Sequence, residues 1–174
     1  MALGKDYERQ NCALARALEL VGERWTLLVV RDALYGVRRY SDFLVHLDIP
    51  RAVLAERLQA LTAAGVLEKR RYQESPPREE YVLTEMGQQL WPAVHALHRW
   101  AVDFLLPEGP IRLYVHTTCG TRLDPAGICP DCGTLVTARD VEMRPGPAAA
   151  VEARTDSVSE KLSRPRRLLT PIHT

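Results

Sequence analysis

At 174 residues the chain is long enough for one packed domain with a smaller addition, and its apolar share of 46% and charged share of 26% exclude a disordered or fibrous protein. Its longest apolar run, Trp25–Val30, is far short of the roughly 20 residues a bilayer demands. The N-terminal residues also lack the apolar core of a secretory signal, so a cytoplasmic chain with no membrane partner is expected. The formal net charge is only +1, but residues 38–78 hold eight basic and five acidic side chains, a local +3 that can steer a polyanion at short range.

In chain order, Leu14, Ala17, Leu18 and Val21 recur at helical spacing, with Asn11 as the expected N-cap and Gly22 as the stop. A second helix, about Glu23 to Leu34, is apolar nearly all round, the pattern of a helix buried in the middle of a domain. Gly36 ends it. A short helix over Tyr40–Leu47, capped by Ser41, and another from Pro50 to about Ala64 are joined by a tight turn, which is a helix-turn-helix pattern.

Val66–Tyr72, the Pro-rich turn Gln73–Arg78 and Tyr81–Thr84 predict a β-hairpin with a basic strand and tip. One long helix is expected over Glu85–Leu106. Its residues Leu90, Val94, Leu97, Ala101 and Phe104 step as a coiled-coil seam, and Trp91, Trp100, Val102 and Leu105 widen the apolar surface enough to suggest a partner subunit. Pro107–Pro110 marks a boundary. Beyond it, Ile111–His116 and Leu135–Met143 form a β-rich unit around a cysteine cluster, and residues 148–174, poor in large apolar side chains, are expected to be a disordered tail.

Asn11-Cys12, Gly22-Glu23-Arg24-Trp25, Arg39-Tyr40-Ser41-Asp42-Phe43, the stretch from Leu54 to Leu67, Pro76-Pro77-Arg78-Glu79-Glu80-Tyr81-Val82-Leu83-Thr84, Gly87 and Trp100 together resemble the HxlR branch of MarR-like regulators. The similarity runs collinearly from about Cys12 to Trp100. It implies a winged helix that binds double-stranded DNA at a near-palindromic operator as a homodimer, paired through its first and last helices. The chain departs from the family's usual pattern at Pro50 and at Ala13.

The expected architecture is therefore mainly α with a β-hairpin wing over residues 1–107, then a zinc-ribbon-like module over 108–147, then the tail. The helix starting at Pro50 buries Leu54, Leu58 and Leu61, which turns Arg51, Ala52, Ala55 and Gln59 outward, where the N-terminal part of a recognition helix meets base edges. Arg51 can grip guanine through O6 and N7, and the two alanines can pack on thymine methyls. Lys69, Arg70, Arg71 and Arg78 in the wing suit phosphates and the minor groove, and Arg38, Arg39 and Ser41 suit phosphates beside the recognition helix.

His116 and Cys119 form one knuckle, Cys129 and Cys132 another, each followed by glycine. Paired short spacings of soft ligands are what a structural zinc site needs, with Asp131 or water as alternatives to His116 for the fourth position. A unit of this size rarely folds without such a staple. Cys12 opens the first helix with Arg16 one turn on, which favours a thiolate. The family resemblance implies a sensor of oxidants or electrophiles at that position, and a buried inert thiol is the other reading. An effector, if one acts, is then a small molecule or an oxidant. His95 and His98 are expected to be core or interface residues. No paired nucleophile and base and no phosphate loop point to an enzyme, so the alternative to a regulator is a protein-interaction adaptor built from the same two modules.

Overall fold

The computed structural model describes residues 7, 10–151 and 154–172. Four helices come first: α1 (Ala13–Val21), α2 (Thr26–Leu34), α3 (Tyr40–Leu47) and α4 (Arg51–Ala63). The hairpin of β1 (Leu67–Gln73) and β2 (Arg78–Leu83) follows, then α5 (Glu85–Gln88) and α6 (Trp91–Leu105). The C-terminal part contains β3 (Arg112–His116), β4 (Ile128–Cys129), β5 (Thr134–Leu135), β6 (Val141–Pro145), α7 (Ser157–Leu162) and β7 (Arg166–Arg167). No helix among the described residues is long and apolar enough to cross a membrane.

The first half follows the sequence pattern closely. Helix α2 buries Val29, Val30, Ala33 and Leu34 from several directions, and α4 turns Leu54, Leu58 and Leu61 onto it. Asp48 closes α3 in the left-handed region with φ 52°, a conformation that aspartate tolerates, and Pro50 caps α4 where its missing N–H costs nothing. The wing is antiparallel, with Lys69 opposite Tyr81 and Arg70 opposite Glu80. Among the local differences, Cys12 rather than Asn11 is the N-cap of α1, and Arg39 rather than Ser41 is that of α3.

The expected single helix over Glu85–Leu106 is two helices. Pro92 cannot donate a backbone hydrogen bond to the preceding turn, so the chain breaks at Gln89–Leu90 and restarts with Pro92 in the first turn of α6.

The larger correction concerns the C-terminal segment. The expected tail is folded over residues 154–172, while residues 152–153 and 173–174 lie outside the described set. Asp156 caps α7 by accepting from the N–H groups of Val158 and Ser159. Helix α7 packs against α3, and β7 joins β3 and β6 as the outer strand of an antiparallel sheet. Val158, Leu162, Leu168 and Ile172 are buried in one continuous cluster with the cores of α2 and α4. The segment then straps over the corner after α2. Leu169 N–H donates to Leu34 O (2.7 Å) and Ile172 N–H to Gly36 O (2.8 Å). Gly36 sits at φ +94°, and a β-carbon there would lie 1.8 Å from Thr170 O, so the strap needs glycine at this corner. Low apolar content misled because these few side chains converge on a surface the rest of the chain provides.

The β-rich unit is joined to the winged helix in the same way. Tyr114, Leu123, Val136, Val141 and Met143 share that buried cluster, and the ring of Tyr114 meets Trp91 edge-on at 4.9 Å. His95 and His98 face Tyr114 from α6, and His95 Nε2 is 2.8 Å from Asp124 O, so both histidines serve this junction.

Candidate DNA-binding face and metal centre

Because α4 rests on its three leucines, Arg51, Ala52, Ala55 and Gln59 all stand exposed on its opposite side, as their spacing predicts. Tyr40 fixes the start of this helix: its hydroxyl donates to Arg51 O at 2.9 Å. Nothing in the local spacing marked that tie, since it depends on the angle between α3 and α4. Arg57 is turned aside to Glu56 (2.6 Å) and Glu23 (3.8 Å) and anchors α4 to the loop before α2.

The wing lies alongside. Lys69, Arg70, Arg71 and Arg78 are exposed, and acids temper three of them: Lys69 by Glu79 (3.5 Å), Arg70 by Glu68 (2.9 Å) and Arg71 by Glu74 (3.3 Å). Exposed pairs of this kind are worth about 0–1 kcal/mol, so a phosphate can displace the carboxylate. Arg39 stacks on the Tyr72 ring at 4.8 Å and couples the start of α3 to the wing. Ser41 is exposed, its hydroxyl donating to Asp42 Oδ1. Arg38 departs from the expectation of a phosphate clamp: it is half-buried, reaching Glu80 (3.1 Å) and Leu169 O (3.4 Å), and ties the wing to the C-terminal strap. Tyr81 N–H donates to Arg38 O and strengthens the same joint.

The second cluster lies at the far end of β3. His116 ends that strand, Cys119 lies in the turn beyond it, Cys129 is on β4 and Cys132 is in the turn to β5. Each knuckle closes on a backbone hydrogen bond, Gly120 N–H to His116 O and Gly133 N–H to Cys129 O, with both glycines at positive φ. Cys119 Sγ is 3.4 Å from Cys129 Sγ, 3.7 Å from Cys132 Sγ and 3.6 Å from His116 Nδ1. The edge of a tetrahedron with bonds of about 2.3 Å is about 3.8 Å, so these four atoms fit a single ion and are too far apart for a disulfide. All four ligand atoms lie within 4.8 Å of one another, a Cys3His set at metal-binding distance. Asp131 instead accepts from the Thr121 hydroxyl. The hydroxyl and amide of Thr121 hold Cys119 down to about 6, while the neighbouring thiols of Cys129 and Cys119 push Cys132 up to about 12. A cation would relieve that crowding.

Cys12 is exposed, which does not match a buried inert thiol. The amides of Ala15 and Leu14 face it and lower its pKa, whereas Arg16 turns to Glu19 at 3.0 Å and takes no part. Nearby, Leu14 is 66% exposed and Phe104 73% exposed, and Leu18, Leu97, Trp100 and Leu105 are exposed as well. The helical faces of α1 and α6 that the periodicity marked as buried thus lie uncovered in the protomer.

A helix-turn-helix with an outward second helix, flanked by a basic wing, defines a winged-helix DNA-binding transcriptional regulator. Residues 20–109 match the HxlR-like helix-turn-helix family, and the chain belongs to it. An uncharacterised HTH-type transcriptional regulator of Mycobacterium tuberculosis is 46% identical over 136 residues, covering 78% of this chain and 86% of the relative. A span of that length necessarily crosses residues 116–132, so the similarity extends through the cysteine segment. Among solved structures, PA1607, a candidate transcription factor, superposes with a TM-score of 0.61 at 31% identity over 76% of this chain and 93% of its own. A candidate MarR-family regulator from Porphyromonas gingivalis W83 does so with a TM-score of 0.50 at 25% identity, over 55% and 95%. These are families of regulators, not of enzymes.

Proposed function

We propose that the protein binds a near-palindromic DNA operator as a homodimer, each protomer setting α4 into the major groove of one half-site. The observation that carries this is the exposed row Arg51, Ala52, Ala55 and Gln59, held at a fixed angle by Tyr40 and flanked by the basic wing. Arg51 specifies guanine through a bidentate contact, and Ala52 and Ala55 pack on thymine methyls. Lys69, Arg70, Arg71 and Arg78 neutralise phosphates, assisted by Arg39 and Ser41. Arg38 orients the wing from behind. The uncovered faces of α1 and α6 supply the twofold interface, which makes the operator's symmetry that of the protein. Residues up to 107 form the DNA-binding and dimerisation unit.

The Cys3His cluster of residues 108–147 holds zinc, because three thiolates and an imidazole in a closed tetrahedron suit that ion and leave no position for a substrate. The metal's role there is to staple two knuckles that bury little apolar surface of their own. Cys12, exposed with a lowered pKa, is the residue through which an oxidant would act on the first helix.

The test is quantitative binding to a duplex selected from a random pool. Arg51→Ala should flatten the preference among sequences, whereas Arg70→Ala should weaken all of them alike and lower the salt slope by about one. Equal loss on every sequence in both variants would refute the assigned roles.

A further inference from the structure

A cavity of about 420 Å3 opens between α2, α6 and β3, where the winged helix meets the C-terminal unit. Its size is ordinary for a small-molecule site, and Leu27, Leu28, Val94 and Ile111 make its walls largely apolar. Its ionisable lining is one-sided. Arg31 from α2, Arg112 from β3 and Arg154 from the segment before α7 all border it, with His46 and His98, and among the described residues no carboxylate does.

The acids that hold these guanidiniums sit behind the wall. Asp32, fully buried, takes Nε and Nη2 of Arg31 through Oδ1 and meets His46 through Oδ2. That leaves Nη1 of Arg31 for a ligand. Asp156 stands 3.7 Å from Arg154 and is engaged in capping α7. Arg112 is only 7% exposed. The floor is the pair Tyr35 and Tyr114, whose hydroxyls are 2.6 Å apart, with the Arg31 guanidinium 5.7 Å from the Tyr35 ring centroid. Burial raises the pKa of both tyrosines, so they stay neutral and add no negative charge. Apolar walls with several cations turned inward suit a molecule that brings an anionic head and an apolar body.

We infer that this cavity binds a hydrophobic organic carboxylate, its carboxylate between Arg31, Arg112 and Arg154 and its body against the aliphatic wall. Only the consequence for DNA rests on the regulator reading. A ligand there bridges α2, which supports the recognition helix, α6, which carries the uncovered dimer face, and β3, which leads to the cysteine cluster, and so biases the spacing of the two recognition helices. That gives the C-terminal unit a purpose: it supplies two of the three guanidiniums.

Calorimetric titration of the full-length, metal-loaded protein with naphthoate, and with the neutral naphthamide of nearly the same shape, tests the site without DNA. One naphthoate should bind per chain, and naphthamide should bind at least about tenfold more weakly. Arg112→Met should reduce naphthoate affinity by about tenfold or more. Arg154→Gln, at an exposed position whose change should leave the melting temperature unaltered, should reduce it by about threefold. Absence of saturable naphthoate binding, equal binding of acid and amide, or wild-type affinity in both folded variants would overturn the assignment. A second arm measures binding to the selected duplex with and without saturating naphthoate, where a change of at least about threefold is expected. Unchanged duplex affinity overturns the regulatory consequence alone. Loss of all duplex binding with naphthoate binding intact counts against the regulator reading and leaves the site standing.

Discussion

Phe104 gives the sharpest test of the dimer, because its ring does almost nothing for the isolated protomer. It is 73% exposed, against the 0% of core residues such as Leu54 and Leu162. A phenylalanine side chain buries roughly 150–250 Å2 when fully covered. Covering the exposed part in a dimer and then truncating it to alanine removes about 100 Å2 of contact per protomer. At about 25 cal/mol per Å2 this is about 2.5 kcal/mol per protomer and about 5 kcal/mol per twofold dimer. The dimer Kd of Phe104→Ala should therefore rise by roughly three to four powers of ten. Sedimentation equilibrium over a concentration series measures that directly, with thermal denaturation of the dilute protein as the control for folding. Operator affinity at low concentration should fall with the dimer fraction. An unchanged Kd in a folded variant would show that α6 does not form the interface, whereas a large fall in monomer stability would show that Phe104 packs inside the protomer.

Three further outcomes are expected. Elemental analysis after exhaustive dialysis should find one zinc per chain, and Cys129→Ser should lose it together with the near-ultraviolet signature of the C-terminal unit; a metal-free protein with that unit intact would refute the staple. Burial, then the nearby charge of His95, holds His98 down to about 4 from the usual 6.5. The unfolded chain gains a proton there as pH falls below about 6.5 while the folded one does not until about 4, so stability should drop across that window. His98→Gln should flatten part of the drop, and melting curves identical to wild type at pH 7 and pH 5 would refute the assignment. Leu162→Ala, at a side chain with 0% exposure, should cost about 2–4 kcal/mol and lower Tm by roughly 5–15 °C. A disordered tail would give no change.

Much of this protein could be read without coordinates wherever one segment answers to one period. Leu54, Leu58 and Leu61 recur on one side of a helix, so the opposite row from Arg51 to Gln59 had to face outward, whatever the rest of the chain did. The ligand set from His116 to Cys132 was legible for a related reason: two short knuckles carry their own geometry, and only the choice between His116 and Asp131 needed distances. Apolar periodicity in α1 and α6 marked faces that must be covered, but could not say by what; the protomer leaves them bare.

What depended on tertiary structure was every feature in which distant segments share one surface. Arg38 looked like its neighbour Arg39, and only the arrival of Leu169 from the far end of the chain turned it from solvent toward the strap. The segment ending at Ile172 has too few apolar side chains to fold by itself, yet it is ordered because the corner at Gly36 and the face of α3 offer it a ready-made core. Likewise Arg31, Arg112 and Arg154 are far apart in sequence and acquire a common meaning only when the β3 sheet closes against α2 and α6. Local spacing determines which side of an element is apolar; long-range closure, whose entropy cost is met only when the whole core forms, decides which of those sides meet.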